Sequence, residues 1–401
     1  MDEDLLTITH LGDDYNRYLN AVVPPVFMNS LHVFENFEAY LNRDQEGEEV
    51  FTYGRVSNPT VHILEEKLAA LEHGCQGIAF ASGMGAASAA ILATCKAGSH
   101  IICVRNTYSP VKRIIDTYFI PRFDMTVTYW AGEDLDELEN MIQTTTSLII
   151  LESPATFIFT VTDIEGVARI AKSHGIKTYI DNTYCTPLFQ KPLEMGIDIV
   201  MHTLSKYIGG HSDIIGGILV VKDKELGKEL QFTIREAFGG ILGPMEAWLA
   251  IRGLRTMPVR LEKHQDTAMK VAKFLENHER VEKVYYTGLE SHPQANMIAK
   301  QQKGHTGLLS FVLKETPEKA VEVIDKLKWF QIGCSWGGFE SLALCPLYDA
   351  SDEVMDFMGM KASERGLIRI HCGLEGADNL VADLAQALEG KTNRTIEKQW
   401  K

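Results

Sequence analysis

Two polar residues follow apolar segments in the middle of the chain. Asp181 follows the segment Lys177–Ile180, and Lys206 comes shortly after the segment Asp198–His202. Each segment has the length of a buried strand, and catalytic groups gather at the carboxyl ends of parallel strands. Taken singly, an acid at a strand end is often a helix cap, and a loop lysine is often solvated. Together they predict a nucleophilic amine and a carboxylate at one edge of a sheet.

A glycine-containing turn offers a site for an anion. Ser82-Gly83-Met84 follows the apolar segment Gly77–Ala81 and opens a helix of small residues. Free backbone N–H groups and the positive end of the helix dipole would bind a phosphate there. The turn also nearly matches the dinucleotide-binding fingerprint, but the next predicted strand ends without the acid that would hold a ribose. A phosphate site is favoured, and a nicotinamide-binding oxidoreductase and a plain tight turn are the alternatives.

These groups match the requirements of one aldehyde cofactor, pyridoxal 5′-phosphate. It needs a lysine for a covalent C=N bond, an acid beside its pyridine nitrogen, a phosphate site with hydroxyls, a stacking aromatic ring and an arginine for the substrate carboxylate. The sequence therefore predicts a pyridoxal-phosphate site. The residues that could supply these functions are Ser82-Gly83-Met84, Tyr108, Asp181, Thr203, Ser205, Lys206 and Arg369.

Short apolar runs that alternate with helical patterns must position these residues. Because strands separated by helices form parallel pairs, we expect an α/β fold with a mostly parallel central sheet covered by helices on both faces. Before the first strand, Asn58 and Pro59 predict the start of a helix that runs to about His73. The predicted strands are Gly77–Ala81, His100–Val104, Ser147–Leu151, Lys177–Ile180, Asp198–His202 and Gly217–Val221.

The chain divides into three predicted regions. Residues 1–60 lack sustained periodicity and are predicted to form an extended arm, and residues 61–255 form the larger cofactor domain. Residues 256–401 form a smaller C-terminal α/β domain that closes over the larger one. This last region begins with a long amphipathic helix from about Leu254, and it ends with a helix for which Asp378 is the predicted cap.

Composition excludes several classes of function. The 401 residues carry 39 Lys and Arg against 54 Asp and Glu, so the net charge is 39 − 54 = −15, and no basic cluster indicates a nucleic-acid site. The apolar runs are much shorter than the roughly 18–20 residues that span a bilayer, and the acidic N-terminus is unlike an export signal. The seven scattered cysteines contain no CxxC, which favours reduced thiols in a cytoplasmic protein and no metal site.

Five motifs, in order, resemble those of the Cys/Met-metabolism pyridoxal-phosphate enzymes, and the resemblance extends from about Val22 to Glu389. They are Tyr53-Gly54-Arg55-Val56-Ser57-Asn58-Pro59-Thr60, the turn Ser82-Gly83-Met84, Ile180-Asp181-Asn182-Thr183, the run from His202 to Gly217, and Arg369 followed by Gly373-Leu374-Glu375. The resemblance implies the type I fold of pyridoxal-phosphate-dependent transferases, which is that of aspartate aminotransferase. It also implies a homo-oligomer, expected as a dimer of dimers, and a small sulfur amino acid as substrate.

The resemblance assigns a role to each matching residue. Lys206 would carry the cofactor, Asp181 would pair with its pyridine nitrogen, and Tyr108 would stack on its ring. The remaining cofactor contacts would come from Ser82, Gly83, Met84, Thr183, Thr203 and Ser205, while Tyr53 and Arg55 would reach the phosphate of a neighbouring subunit. The substrate would be held by Ser335, Trp336 and Arg369.

Departures from the common pattern of the family indicate the bacterial cystathionine β-lyase branch. Thr156 stands where many γ-acting members have Asn, Trp336 stands where they have Leu, and His371 replaces a common Ser. The implied activity is β-elimination of L-cystathionine to homocysteine, pyruvate and ammonia, in trans-sulfuration and methionine biosynthesis. Asn58-Pro59-Thr60 looks more like the rest of the family. A γ-acting lyase or synthase and a cysteine or homocysteine desulfhydrase therefore stay as alternatives. His371 itself is better explained by packing than by catalysis.

Overall fold

The computed structural model describes residues 2–43 and 50–390 of the chain. Residues 1 and 44–49 of the predicted arm and residues 391–401 of the predicted small domain lie outside the described residues. Within those that are described, no helix is both long enough and apolar enough to cross a membrane.

A seven-stranded sheet forms the centre of the larger part of the molecule. Its strands lie in the order β1-β7-β6-β5-β4-β2-β3, and all neighbouring pairs are parallel except those that involve β7. Helices cover both faces of this sheet with separate apolar clusters. The expected α/β fold with a mostly parallel, helix-covered sheet is confirmed. The strands are β1 Gln76–Phe80, β2 His100–Val104, β3 Thr126–Trp130, β4 Thr146–Glu152, β5 Lys177–Asp181, β6 Ile199–Thr203 and β7 Gly217–Val221.

A second, smaller sheet follows in the C-terminal part of the chain. It has five strands in the order β10-β11-β12-β9-β8, and all neighbouring pairs except β10 and β11 are antiparallel. One face packs on the end of the long helix α11 and on the last helix, α15. The strands are β8 Val281–Tyr285, β9 Leu308–Leu313, β10 Gln331–Ile332, β11 Leu342–Leu344 and β12 Ile368–His371.

The helices connect and cover these two sheets. Two π-helical segments, Ile115–Phe119 and Glu229–Glu236, and a 3₁₀ segment, Ala362–Gly366, continue or join them. The α-helices are α1 Asp2–His10, α2 Phe37–Leu41, α3 Pro59–Leu71, α4 Gly83–Thr94, α5 Ser109–Ile114, α6 Ile120–Phe123, α7 Leu135–Asn140, α8 Ile164–His174, α9 Thr186–Phe189, α10 Lys224–Lys228, α11 Pro244–Glu276, α12 Ala295–Gln301, α13 Pro317–Lys326, α14 Asp352–Met358 and α15 Ala377–Leu388.

All six predicted strands are present, and their ends agree with prediction to within one residue. The prediction omitted β3, which pairs only with β2 at the edge of the sheet. Most of β3 is partly exposed, and its sequence Thr-Val-Thr-Tyr-Trp contains no continuous apolar run. β3 is less buried than β1, the strand at the other edge, and therefore lacks the apolar pattern that identifies buried strands.

The expectation of an extended arm from the first residue is wrong. The chain begins with helix α1, whose Ile8 is fully buried against the core. The Lys67 ammonium donates hydrogen bonds to the carbonyls of Thr7 and Ile8, at 3.3 and 3.1 Å, and so holds the end of α1 against α3. Between α1 and α3, the described residues form only the short helix α2 and an isolated bridge between Leu31 and Tyr53, and are otherwise irregular.

Helix α3 begins as the sequence predicts. The Asn58 side-chain oxygen accepts hydrogen bonds from the backbone N–H groups of Thr60 and Val61, at 3.0 and 3.4 Å, and Pro59 occupies the first turn. The side-chain amide of Asn58 also donates to the Phe27 carbonyl at 2.8 Å. Asn58 therefore joins the irregular arm to the first core helix.

Two predictions about the C-terminal helices need correction. Helix α11 begins at Pro244, ten residues before the predicted start near Leu254, and it continues for 33 residues. The proposed domain boundary at residue 255 lies inside this helix, which contributes Leu261 to the large-domain core and Ala268 to the small-domain core. The N-cap of α15 is Gly376, so Asp378 lies in the first turn of the helix and is not its cap.

Candidate active site

The carboxyl ends of β4, β5 and β6 bring three of the polar side chains to one edge of the large sheet. In the parallel register, Glu152 at the end of β4 is opposite Asp181 at the end of β5, and Asp181 is opposite Met201 of β6. Thr203 is the last residue of β6, and the chain then turns through Ser205 and Lys206. Adjacent parallel strands thus position the acid and the amine that the sequence predicted together.

Lys206 lies between the large sheet and the small domain. Its Nζ donates a 2.6 Å hydrogen bond to Ser335 Oγ and lies 5.3 Å from the centre of the Trp336 ring. Burial lowers the pKa of Lys206, and the positive charge of Arg369 lowers it further. A lowered pKa increases the fraction of the neutral amine, which is the nucleophilic form.

Asp181 is itself partly exposed, but the residues next to it in the chain are buried. Its Oδ1 accepts a 2.9 Å hydrogen bond from the backbone N–H of Thr183. Burial raises the pKa of Asp181, although the Thr183 hydrogen bonds and the charges of His202 and Lys206 oppose this shift. A carboxylate in such a place is stabilised by a cationic partner, and a protonated pyridine nitrogen is such a partner.

The predicted phosphate site is built by a close approach between α4 and β6. Ser82 is the N-cap of α4, and its Oγ accepts a 3.0 Å hydrogen bond from the Gly85 N–H. A Cβ atom at Gly83 would lie 2.9 Å from Thr203 Cβ, so only glycine lets the helix end approach this strand end. The first turn of a twelve-residue helix, with partly buried Met84, therefore faces the hydroxyl-bearing end of β6.

Threonine hydroxyls link the strand ends beside this helix. Thr183 Oγ1 accepts a 3.0 Å hydrogen bond from the Thr203 N–H, and Thr203 Oγ1 donates to the Gly216 carbonyl at 3.1 Å. Ser205 lies two residues farther on and is partly buried. Thr203 thus lies beside the start of α4, while Thr183 fixes β5 against β6.

Tyr108 is the N-cap residue of helix α5 and lies four residues after the end of β2. Half of its surface is exposed, so its ring is available to stack on a planar ligand. Its backbone N–H donates a 2.6 Å hydrogen bond to Glu152 Oε2. Glu152 was assigned no role from the sequence, although it ends a predicted strand just as Asp181 does, and this position was the signal that could have identified it.

The small domain supplies the predicted substrate residues. Arg369, on β12, donates a 3.0 Å hydrogen bond from Nη2 to the Cys334 carbonyl, next to Ser335 and Trp336. Its guanidinium carbon lies 5.8 Å from the Phe157 ring centre, and burial lowers the pKa of Arg369. Lys206 and Arg369 are therefore close enough to interact electrostatically, and Phe157, beside Arg369, is a residue that the sequence did not indicate.

Tyr53 and Arg55 are placed differently from the other predicted cofactor residues. The side chains of both are exposed, and Arg55 Nη1 is 3.2 Å from the Glu236 carboxylate of its own chain. The structure brings neither residue into the cluster around Lys206. Their predicted contact with the phosphate of a neighbouring subunit stays a prediction.

His371 is fully buried behind the cleft, in agreement with a packing role. Its Nε2 lies 3.1 Å from the Gly338 carbonyl, and its ring contacts those of Tyr207 and His264. Burial lowers the pKa of His371, so the neutral imidazole is favoured.

The residues at the sheet edge fit pyridoxal phosphate. The start of α4 has no side chain at Gly83, so its backbone N–H groups can bind a phosphate. Asp181 can pair with a protonated pyridine nitrogen. Lys206 interacts both with Asp181 and with Ser335 and Arg369, the residues predicted to bind substrate. These are complementary charges at the positions that the cofactor requires.

Comparisons with known proteins agree with this geometry. The family model described as Cys/Met metabolism PLP-dependent enzyme matches residues 7–389. The chain is 38% identical over 363 residues to cystathionine beta-lyase MetC of Bacillus subtilis, covering 89% of this chain and 88% of the relative. It is 35% identical over 386 residues to L-methionine gamma-lyase of Fusobacterium nucleatum subsp. nucleatum, covering 96% and 97%.

A solved structure shares both the fold and much of the sequence. The cystathionine gamma synthase of Xanthomonas oryzae pv. oryzae, solved in complex with aminoacrylate and cysteine, superposes with a TM-score of 0.88 and 31% identity. The match covers 96% of this chain and 97% of that one. The resemblance inferred from the five motifs is confirmed, and the chain belongs to the Cys/Met metabolism family of pyridoxal-phosphate-dependent enzymes.

Proposed function

We propose that the protein is a carbon–sulfur lyase that cleaves L-cystathionine by β-elimination. The observation that carries this proposal is the position of the Lys206 amine, which contacts Ser335 and Trp336 and interacts electrostatically with Asp181 and Arg369. Cystathionine and water would give homocysteine, pyruvate and ammonia.

The large domain would hold the cofactor through residues of the sheet edge. The end of α4, with Ser82, Gly83 and Met84, binds the phosphate together with Thr203 and Ser205, and Tyr108 stacks on the ring. Asp181 holds the proton on the pyridine nitrogen, and Thr183 orients Asp181. When bound, pyridoxal phosphate supplies an electron sink for the negative charge that develops at the substrate α-carbon.

The small domain would orient the substrate. Arg369 and Ser335 bind the α-carboxylate, which places the α-carbon beside Lys206. The neutral Lys206 amine removes the α-proton, and its lowered pKa favours this role near neutral pH. The Cβ–S bond then breaks with its electron pair on sulfur. The thiolate takes up a proton and leaves as homocysteine, and the released enamine is hydrolysed to pyruvate and ammonia.

The preference for β-elimination is supported by the substrate wall. Trp336 packs against both the large-domain core and the cluster around Phe159, so it forms a fixed wall beside Lys206. The Thr156 hydroxyl donates a 2.7 Å hydrogen bond to Glu152 and is therefore engaged with the protein. The named relatives include both β-lyases and γ-lyases, so activity on carbon–sulfur bonds is better supported than the bond position.

The proposal extends to the assembly. A homotetramer built as a dimer of dimers would place Tyr53 and Arg55 at the phosphate of the neighbouring subunit, and a cytoplasmic enzyme would act in methionine biosynthesis. In this arrangement the segment between α1 and α3 reaches the neighbouring subunit, and α11 joins the large and small domains.

Product analysis tests the proposed reaction. Purified protein is incubated with pyridoxal phosphate and L-cystathionine, and the oxo acid and thiol products are quantified by mass spectrometry. We expect pyruvate and homocysteine in equal amounts, and none from the Lys206→Ala variant. Formation of 2-oxobutyrate and cysteine would replace this assignment with γ-elimination.

A further inference from the structure

The Glu152 side chain is a meeting point of three hydrogen bonds at the cofactor edge. Its Oε2 accepts from the Tyr108 backbone N–H at 2.6 Å and from Thr107 Oγ1 at 3.3 Å. Its Oε1 accepts from Thr156 Oγ1 at 2.7 Å. These donors come from the segment after β2 and from the segment after β4, so one carboxyl joins two connections that leave the sheet at the same edge.

The two connections are also joined directly. The Thr156 backbone N–H donates a 2.9 Å hydrogen bond to the Asn106 carbonyl. Asn106 and Thr107 are buried, whereas Tyr108 next to them has half of its surface exposed. The backbone next to the Tyr108 ring is thus fixed by hydrogen bonds, while half of the Tyr108 surface is exposed.

We infer that Glu152 is a positioning residue that fixes the Tyr108 ring over the cofactor through a clamp made of Glu152, Thr107, the Tyr108 backbone N–H and Thr156. The inference rests on the proposed stacking role of Tyr108. Among the described residues, the hydrogen bonds to the Glu152 carboxyl come from these two connections, so Glu152 sets the height and tilt of the ring and takes no part in bond cleavage. The clamp also gives Thr156 a role, because its hydroxyl is committed to Glu152.

The surroundings of Glu152 explain why a carboxyl suits this position. Burial and the negative charge of neighbouring Asp181 raise the pKa of Glu152 to about 8, although its three hydrogen bonds oppose this shift. If Glu152 is neutral, Asp181 carries the only negative charge of the pair Glu152 and Asp181. That charge is then beside the proposed position of the pyridinium. Such a neutral acid would still accept from the Tyr108 N–H, and it could donate its own proton to Thr156 Oγ1.

A glutamine at this position would reproduce that pattern, and this gives the test a rescue variant. Its carbonyl oxygen can accept from the Tyr108 N–H, and its amide nitrogen can donate to Thr156 Oγ1. An alanine removes the clamp entirely. Thr156→Val removes only the hydrogen bond on Oε1 and is expected to fold even where Glu152→Ala does not.

The experiment measures the affinity of the apoprotein for pyridoxal phosphate and the visible circular dichroism of the bound cofactor. We expect Glu152→Ala to weaken cofactor binding by about tenfold and to reduce the visible signal, because the ring loses its fixed orientation. Thr156→Val should change both quantities in the same direction by about two- to threefold. Glu152→Gln should stay within about twofold of the native protein.

Asp198 provides a matched control at the opposite end of the sheet. Its carboxylate accepts hydrogen bonds from Thr178 N–H, at 2.9 Å, and Thr178 Oγ1, at 2.8 Å, and it pairs with Lys177. Asp198→Ala should lower stability but leave cofactor affinity and the visible signal unchanged. If Glu152→Ala, or Thr156→Val in its place, behaves like Asp198→Ala, the clamp is refuted.

A Tyr108→Ala variant, measured in parallel, tests the stacking role of Tyr108 on which the clamp rests. We expect it to show the same loss of visible signal as Glu152→Ala, because both disturb the same ring. An unchanged signal in Tyr108→Ala would overturn the stacking role and the clamp together. Neither readout uses substrate, so a failure of the β-lyase assignment would leave these results unaltered.

Discussion

The reactivity of Lys206 depends on the charges around it. Burial and the Arg369 guanidinium disfavour the ammonium form, while Asp181, Cys334 and Glu340 favour it. The net shift of the Lys206 pKa is downward, toward the neutral amine. At a given pH, more Lys206 is therefore ready to react with an aldehyde than would be the case for an exposed lysine.

Removal of the Arg369 charge should reverse part of this shift. In Arg369→Met the Lys206 pKa rises, so the pH at which the apoprotein takes up pyridoxal phosphate at half its maximal rate should move upward. Stopped-flow absorbance over a range of pH measures this midpoint. Arg169→Met, on the exposed face of α8, is the control and should leave the midpoint in place. An unchanged midpoint in Arg369→Met would contradict the electrostatic coupling.

At the residue scale, sequence patterns indicated which residues could do chemistry, but not which residues those side chains contact. Asp181, Thr203 and Lys206 were found because each follows a buried strand, and the parallel sheet brings them together. Glu152 and Phe157 were not found, because their importance lies in what they touch. Phe157 itself has a positive φ of 71°, which the sequence pattern did not predict.

At the element scale, the close approach of α4 to β6 shapes the proposed phosphate site. This approach depends on the absence of a side chain at Gly83, where a Cβ would come within 2.9 Å of Thr203. A Cβ atom at Gly85, two residues farther along the chain, would lie 3.3 Å from the Ser82 hydroxyl oxygen, and that hydroxyl can rotate away. The two glycines therefore differ in what a methyl group would displace.

We expect Gly83→Ala to push the helix end away from β6 and to weaken pyridoxal-phosphate binding by about tenfold or more. Gly85→Ala should change this affinity by less than about threefold, and the better helix propensity of alanine should offset any loss of stability. Fluorescence titration of the apoprotein provides the affinities. Equal affinities in the two variants would show that the approach of α4 to β6 does not shape the site.

The cap of α3 should be important for the stability of the whole large domain. Asn58→Ala removes two hydrogen bonds to the start of the helix and one to Phe27, and it should reduce the free energy of unfolding by about 1–2 kcal/mol. Urea unfolding measures the change. Asn36→Ala, at the cap of helix α2, which contains no buried residue, should cost less than about 0.5 kcal/mol. A reversed order of the two losses would contradict this role.

The sequence predicted buried elements well and surface elements poorly. Runs of apolar residues identified β1, β2 and β4 to β7, because a strand covered on both faces has few polar residues. The edge strand β3 and helix α1 were missed, because each buries only part of its surface. The direction of β7 was also not predictable from its apolar composition, since antiparallel and parallel core strands have the same pattern.

At the scale of the whole molecule, one helix belongs to two cores. Helix α11 packs on the large sheet through Leu254 and Leu261 and on the small sheet through Ala268 and Leu275. The lysine of the large domain and the arginine of the small domain are therefore held in one cleft by a shared element. The arm, by contrast, exposes large apolar side chains such as Leu19, Val33 and Phe37, as expected for a segment that a neighbouring subunit covers.

A shared site makes a specific prediction about mixed oligomers. Lys206→Ala and Arg55→Ala chains should each be inactive or weakened alone, by at least about a hundredfold for Lys206→Ala. If Arg55 serves the neighbour's phosphate, mixed oligomers contain some sites with both native residues. Joint refolding should then restore up to about a quarter of the native activity. Simple mixing without refolding is the control. The absence of recovery, together with native cofactor affinity in Arg55→Ala, would place Arg55 outside the site.

The identity of the cofactor lysine tests the central claim most directly. The protein is loaded with pyridoxal phosphate and treated with borohydride, which reduces the C=N bond and makes the link permanent, and the labelled peptide is sequenced by mass spectrometry. We predict a single label on Lys206, and none in Lys206→Ala. A label on another lysine, or no label on a protein that remains colourless, would contradict the assignment of this sheet edge as the active site.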